Sequence, residues 1–447
     1  MRLPLAVVAV ALLLAGCSQQ SSDTTTSSSP TQPPAAVPMA FATHVLPAVH
    51  AGHGLYEPTI DVSGSGVLYV SAHSTGVDVQ GAPAFFSVDD GVTWSNLPLP
   101  GSPAGAPGEA QAGTTPPSDE IFIVAGTDGT AWGVDVTLFA FPVSGWCNDG
   151  AENCFYSPNA YDRAATTCAP SSLNDRPWAA YANGTLLMVN NPGGGPVQVG
   201  AMKVPPSEPL GVGNPATGPQ WNMCAGEGGG SIPGIPDMRE DLFFAVPQVQ
   251  GGKLVVVTGN AADVGQVEQH DVLDQSTVGV SQIGDSGQVA FDKTGTMFVA
   301  TMNNTAASGA GSGAFQVAFS TDDGASFTVG RWSFDLPVSS VYIDGNKFGP
   351  GLLVNWGLVD QAGTDWYFAH AFVEDGQLVL RDVSLAVDDG PEASRHVQGA
   401  AAGPDGRAYM IMSEVSGNDD AAMAAAVGTM PLSVVVQQAG PTLPVEA

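Results

Sequence analysis

Cations are scarce in this chain, with 12 Lys and Arg against 43 Asp and Glu and a formal net charge of -31, so the position of each one carries information. Three of the eight arginines stand at the start of short apolar stretches, the first two of them beside acids: Asp175-Arg176-Pro177-Trp178, Arg239-Glu240-Asp241-Leu242 and Arg395-His396-Val397. A guanidinium is a planar fork that grips a carboxylate or sulfate through two parallel hydrogen bonds. Two carboxylates held at a set separation can hydrolyse a glycosidic bond, one as acid and the other as base or nucleophile. The neighbouring acids also allow a plainer outcome, in which Arg176 pairs with Asp175 and Arg239 with Glu240 or Asp241. Both readings stand at this level.

What would bring these residues together is a repeat. A polar or charged residue, a short apolar strand, a Gly-containing turn and a second apolar strand recur from Leu55 onward. The pattern appears at Glu57–Val62, Asp119–Val124, Asp175–Tyr181, Arg239–Phe244, Asp285–Phe291, Val341–Ile343 and Arg395–Gln398, each followed by its partner strand. Starts are spaced by roughly 50 residues, close to the period of a propeller blade. A four-stranded sheet of this kind cannot bury both faces alone, and copies closed into a ring cover them. The expectation is an all-β propeller of about seven four-stranded blades, with six as the alternative. Phe41–Leu46 and Leu432–Val436 are placed to pair within one blade and fasten the ring. The first strand of each blade then lines a central channel. Its starting residues gather at one mouth: Glu57, Asp119, Glu120, Asp175, Arg176, Arg239, Glu240, Asp241, Asp285, Arg395 and His396.

Two further stretches punctuate the repeat. Ser87-Val88-Asp89-Asp90-Gly91-Val92-Thr93-Trp94 and Ser320-Thr321-Asp322-Asp323-Gly324-Ala325-Ser326-Phe327 each follow an apolar run. Asp89 and Asp322 can accept backbone N–H bonds, Gly91 and Gly324 tolerate positive φ, and Trp94 and Phe327 bring apolar area to bury. The pattern Ser-x-Asp-x-Gly-x-Thr-Trp resembles the Asp-box, or BNR repeat, of the sialidase-like β-propellers. The first copy matches throughout; the second has Ser326 and Phe327 at the last two positions. The resemblance covers roughly residues 55 to 437, and in that family the box is a structural hairpin away from the active face. Sialidases use an arginine triad, a Tyr nucleophile helped by Glu, and an acid/base Asp. Their first arginine opens blade one, where this chain reads Tyr56-Glu57-Pro58-Thr59. An acid there would repel the substrate's carboxylate, so no catalytic role is carried over. The resemblance implies a propeller that binds a glycan or a surface protein. A glycoside hydrolase acting on an acidic sugar is the alternative, and an inert scaffold the third reading.

The N-terminus bears on compartment. Arg2 precedes the apolar run Leu3 to Leu14, too short to span a bilayer and shaped like a signal-peptide core. Leu14-Ala15-Gly16-Cys17 resembles a lipoprotein lipobox, which implies cleavage after residue 16 and lipidation of Cys17. Residues 17–39, rich in Ser, Thr and Pro, form a tether, residues 40–438 the propeller and 439–447 a C-terminal tail. The expected location is extracytoplasmic, anchored to the membrane through the lipid. There Cys147, Cys154, Cys168 and Cys224 can form two disulfides in three connectivities, and proximity favours Cys147 with Cys154 and Cys168 with Cys224. Clustered basic residues are missing, which argues against nucleic acid. No cofactor or metal site is expected: His50, His53 and His396 lack ligand spacing, and the loop Asn148–Glu152 lacks the alternating ligands of an EF-hand, though it has oxygens for Ca²⁺.

Overall fold

The structure, a computed structural model, describes residues 38–46, 54–75, 84–98, 121–135, 143–157, 175–191, 197–204, 220–225, 234–250, 253–274, 287–303, 313–360, 363–388, 394–415 and 432–446. Described residues form strands and turns, arranged as seven antiparallel four-stranded sheets, the blades of a β-propeller. Strand β1 (Ala40–Val45) comes first in the chain and belongs to the last blade. Blade one holds β2 (Gly54–Val62), β3 (Leu68–Thr75), β4 (Ala84–Ser87) and β5 (Ser95–Asn96). Blade two holds β6 (Ile121–Ala125), β7 (Ala131–Asp135), β8 (Val143–Cys147) and β9 (Glu152–Ser157), and blade three β10 (Asp175–Ala182), β11 (Thr185–Asn191), β12 (Val197–Lys203) and β13 (Gln220–Ala225). Blade four comprises β14 (Asp237–Met238), β15 (Phe243–Gln250), β16 (Lys253–Asn260) and β17 (Asp263–Asp274). Blade five follows with β18 (Gln288–Phe291), β19 (Met297–Asn303), β20 (Gly313–Ser320) and β21 (Thr328–Phe334). Blade six has β22 (Val338–Gly345), β23 (Leu352–Val359), β24 (Thr364–Glu374) and β25 (Gln377–Val387). Blade seven combines β26 (Ser394–Ala402), β27 (Ala408–Val415) and β28 (Leu432–Ala439) with β1 on its outer edge.

The ring closes as the sequence predicts, with β1 antiparallel to β28 from Ala40 opposite Ala439 to Val45 opposite Ser433. Apolar clusters sit between blades rather than at the hub. Blades seven and one share Ile60, Leu68, Val70, Tyr409, Ile411 and Val434; blades five and six share Phe298, Phe315, Ile343, Leu352 and Val354. This placement explains the strand patterns. The third strand of a blade is covered on both faces, so β20 is buried at every position, whereas the outermost β21 alternates with solvent.

Blade four corrects the sequence reading. Arg239–Phe244 does not form its inner strand; that strand is the two-residue β14, and Arg239 to Leu242 form the turn into β15. The stretch expected as its second strand, Leu254–Val257, lies in the third, β16. The long polar region before blade four displaced the apparent start of the repeat by one strand.

The two Ser-Asp-Gly hairpins join third strand to fourth in blades one and five, as expected, and have the same bonding. Ser87 Oγ accepts from Gly91 N at 2.9 Å and donates to Asp89 Oδ1 at 2.9 Å; Asp89 accepts from Thr93 N at 2.8 Å and from Thr93 Oγ1 at 2.7 Å. Ser320 and Asp322 repeat this with Gly324 and Ser326 at 2.6–2.9 Å. These bonds hold the Asp89 and Asp322 carboxyls below their ordinary range, bonding from Thr93 and from Ser326 leading. Each turn takes two left-handed residues, Asp90 (φ 57°) with Gly91 (φ 79°) and Asp323 (φ 57°) with Gly324 (φ 94°). The second aspartate of each hairpin then receives an arginine from the preceding blade. Arg407 grips Asp90 with two bonds of 2.9 Å, and Arg239 meets Asp323 at 2.6 Å.

Cys147 and Cys154 lie on the adjacent strands β8 and β9 as free thiols hydrogen-bonded to each other, and burial leads in pushing the Cys154 thiol up to about 12. Cys224 is on β13, and Cys168 and Cys17 lie outside the described residues.

Because Ser87 is 1% exposed and Gly91 N has its hydroxyl as acceptor, Ser87→Ala leaves a buried donor unpaired. Ser87→Ala and Ser320→Ala should each lower unfolding stability by about 1–3 kcal/mol in urea titrations, whereas Val88→Ala at the exposed neighbour should change it by less than about 0.5 kcal/mol.

Candidate functional site: the axial channel

The inner strands of all seven blades line one cavity of ≈ 210 Å³ on the axis, from Thr59–Asp61 in β2 round to Gly399 and Ala400 in β26. Its floor is set by three aspartates at equivalent positions, two residues before the residue that closes each first hairpin. Asp61 Oδ2 accepts from Ala125 N, Asp237 Oδ2 from Phe291 N and Asp344 Oδ2 from Ala402 N, each at 2.7 Å and each on the following blade. Gln288 Oε1 does the same for Ile343 N at 2.8 Å. The inner edge of a blade has no further strand to satisfy its N–H groups, and these side chains supply the acceptors.

Lys347 crosses the floor. It comes from the β22–β23 turn of blade six, passes blade seven, and donates to Asp61 Oδ1 at 2.7 Å and to Ala125 O at 2.8 Å. Asp237 and Asp344 are half-buried by area, with their remaining surface opening into the cavity rather than to bulk water. Burial accordingly dominates their titration. It raises Asp237 to about 6 against the bonds from Phe291 and Met238 and the charge of Lys347. It raises Asp344 well above its ordinary value, with Asp61 adding repulsion.

Arg239, Glu240 and Asp241 belong to this floor end and not to the mouth, a second consequence of the blade-four shift. Arg239 binds Asp241 through Nη2 at 2.8 Å and Nε at 3.1 Å, binds Asp323 at 2.6 Å, and lies over the Phe243 ring at 4.5 Å. Burial works against its charge, but bonds to Asp241 and Asp323 together outweigh it and raise the guanidinium above its ordinary value. Lys293 meets Glu240 at 3.1 Å. Arg239 is therefore a structural latch, and a three-arginine clamp does not assemble.

At the other end of the inner strands the backbone breaks its ladder. Register shifts fall between Tyr56 and Thr59, Asp175 and Trp178, Val338 and Val341, and Val397 and Gly399. In the first two cases the skipped residues are Glu57-Pro58 and Arg176-Pro177. Proline has no N–H to offer the ladder and holds the residue before it extended, so the sequence itself breaks the pairing there. Glu57 on β2, Asp175 and Arg176 on β10, and Arg395 and His396 on β26 thus share the starting end of inner strands, with Arg395 opposite Glu414 in register. Asp119, Glu120 and Asp285 lie outside the described residues, as do His50 and His53. Asn148 of the acidic β8–β9 loop donates to Glu152, and among the described residues no cluster of three His, Cys, Asp or Glu could hold a metal ion.

Sequence reasoning missed Asp61, Asp237, Asp344 and Lys347. Their signal was an aspartate at one fixed offset before the first turn in Ile60-Asp61, Pro236-Asp237 and Ile343-Asp344.

No protein-family model and no curated protein matches the chain. Solved structures do. A protein of unknown function from Dyadobacter fermentans is 12% identical over 90% of this chain and 99% of its own, with a TM-score of 0.45. The endosialidase of phage phi92 is 10% identical over 91% and 70%, TM-score 0.44. The NanB sialidase of Streptococcus pneumoniae is 10% identical over 87% and 68%, TM-score 0.42.

The raised Asp237 has a definite sign. Its folded value lies above the unfolded one, so the stability it contributes is complete below about pH 4 and is lost as pH rises through about 6. The difference in unfolding free energy between the native chain and Asp237→Asn should fall by on the order of 2–3 kcal/mol between pH 4 and 7 in urea titrations, and a flat difference would contradict the assignment.

Proposed function

We propose that this chain is a lipid-anchored extracytoplasmic propeller that binds a glycan at the mouth of its channel. The observation that carries the reading is the break in the inner ladders at that mouth. Bulged backbone beside Pro58 and Pro177 releases Glu57 and Arg176 from regular pairing. A carboxylate and a guanidinium on a rigid ring suit the hydroxyl groups of a sugar, which both donate and accept.

Binding is favoured over hydrolysis by how the described carboxylates are engaged. Asp61, Asp237 and Asp344 each hold a backbone amide of the next blade, and Asp61 also holds Lys347. Groups committed to holding the ring together are poorly placed to move protons. With Arg239 engaged at the floor, an acidic sugar loses one arm of its expected clamp, which favours a neutral glycan.

A glycan array probed with the chain from residue 18 onward should give hits that Arg176→Ala and Glu57→Ala each weaken by about tenfold or more. Turnover of fluorogenic glycosides would instead establish the hydrolase, and silence in both assays would leave a scaffold. The anchor is tested separately. Cys17→Ser should move the protein from the membrane fraction to the soluble extracytoplasmic fraction, and unchanged fractionation would refute lipidation at that residue.

A further inference from the structure

The seam between blades six and seven encloses polar groups that find no hydrogen-bond partner among the described residues. Asn355, on β23, is 0% exposed, yet neither its Oδ1 nor its Nδ2 is bonded. Turning the amide over would change nothing, because both of its atoms are orphans. Two more orphans lie on the same face of the sheet: the Ser339 hydroxyl from β22 and the indole Nε1 of Trp366 from β24, a residue 2% exposed. Trp366 stands opposite Gly357 in register, and a Cβ at Gly357 would lie 2.2 Å from Ser339 Oγ and 3.0 Å from the Trp366 ring. Gly357 thus leaves the space into which both side chains lean. Asn355 precedes it by two residues, about 7 Å along the same face.

At the mouth end of this seam the backbone is irregular on both walls. Ser339 falls within the register shift between Val338 and Val341, and β26 across the seam shifts between Val397 and Gly399. Blade seven packs Met410 and Met412 against Trp366 and Phe368, and unbranched methionine side chains repack readily. A buried amide without partners costs free energy that is recovered when it finds them. Closed, the seam leaves these groups unpaired; parted at the mouth, it presents them to a molecule entering from the channel. Their types select that molecule. An amide offers a donor and an acceptor side by side, a hydroxyl does both, and an indole donates from the edge of a flat apolar ring. None of the three side chains is charged, so an ion gains little there, whereas adjacent sugar hydroxyls match them.

We propose that the seam between blades six and seven opens at the mouth as a subsite for a neutral sugar ring. Asn355 bonds two adjacent hydroxyls, and Ser339 Oγ and Trp366 Nε1 bond a third. This rests on the reading that a glycan binds at the mouth, and adds which chemistry of the glycan is read and by which side chains.

The test pairs stability with binding. Asn355→Leu keeps the side-chain volume and removes both orphaned atoms. Its urea midpoint should rise above that of the native chain, and amide hydrogen exchange in β22 and β23 should slow. On an array of immobilised gluco-, galacto- and manno-oligosaccharides, probed with the chain from residue 18 onward, its binding should weaken about tenfold or more, and that of Ser339→Ala about threefold. Gln316→Leu is the control. Its amide, 2% exposed and likewise unpartnered, lies on β20 of blade five, whose inner strand β18 keeps its register. That substitution should raise the midpoint and leave array binding unchanged. A lower midpoint for Asn355→Leu would show the amide satisfied in the closed seam and overturn the proposal. Array binding that Arg176→Ala weakens and Asn355→Leu does not would overturn the subsite while the glycan mouth stands, and silence of the native chain across the array would end both.

Discussion

Each blade of this propeller has two apolar faces and no means of covering either by itself. That constraint governs the rest of the structure. The buried clusters are all interfaces between neighbouring sheets, and a column of rings from Phe315 through Trp356 to Tyr367 is one of them. Removing apolar surface from water stabilises the ring only if every sheet has a neighbour on both sides. An open chain of blades would leave two faces wet, which is why β1 completes the blade built from β26 to β28. The first strand of the described chain thus depends on the last one, and the ends of the fold are tied where the ring would otherwise part.

Closure brings a second problem, because the inner strand of each blade has one edge with no partner. The aspartates at the floor solve it by accepting amides across the gap between blades. They do so at the cost of carboxylates held in an enclosed space, and the elevated Asp237 and Asp344 express that cost. One lysine, Lys347, offsets part of it by lying across the floor to Asp61. Of the chain's 12 cations, four, Lys347, Arg239, Lys293 and Arg407, join one blade to another. The floor and the two Ser-Asp-Gly hairpins are therefore architecture.

Acidic groups serve two different ends within the same surface. Asp90 and Asp323 sit in left-handed turns where each meets an arginine from the preceding blade, so their charge is balanced by a partner the fold delivers. Asp365, by contrast, bonds the Tyr367 hydroxyl, and burial leads in raising both groups.

The sequence by itself determined the class of fold and the way the ring shuts, and narrowed the blades to seven or six, of which the structure has seven. Those properties follow from local patterning: apolar runs broken by glycine turns at a steady interval, two hairpins whose Ser, Asp and Gly bond within a few residues, and terminal strands left without other partners. The placement of single side chains across the axis was decided by tertiary structure. Arg239 reads as the start of a strand because an acid-rich, apolar stretch follows it, yet the brevity of β14 puts it in a turn at the opposite end of the channel. Lys347 and Asp61 are far apart in the chain and meet only because seven sheets bend round a common hub. Local periodicity encodes which strands exist, and the distances that make a site arise from closing them into a ring.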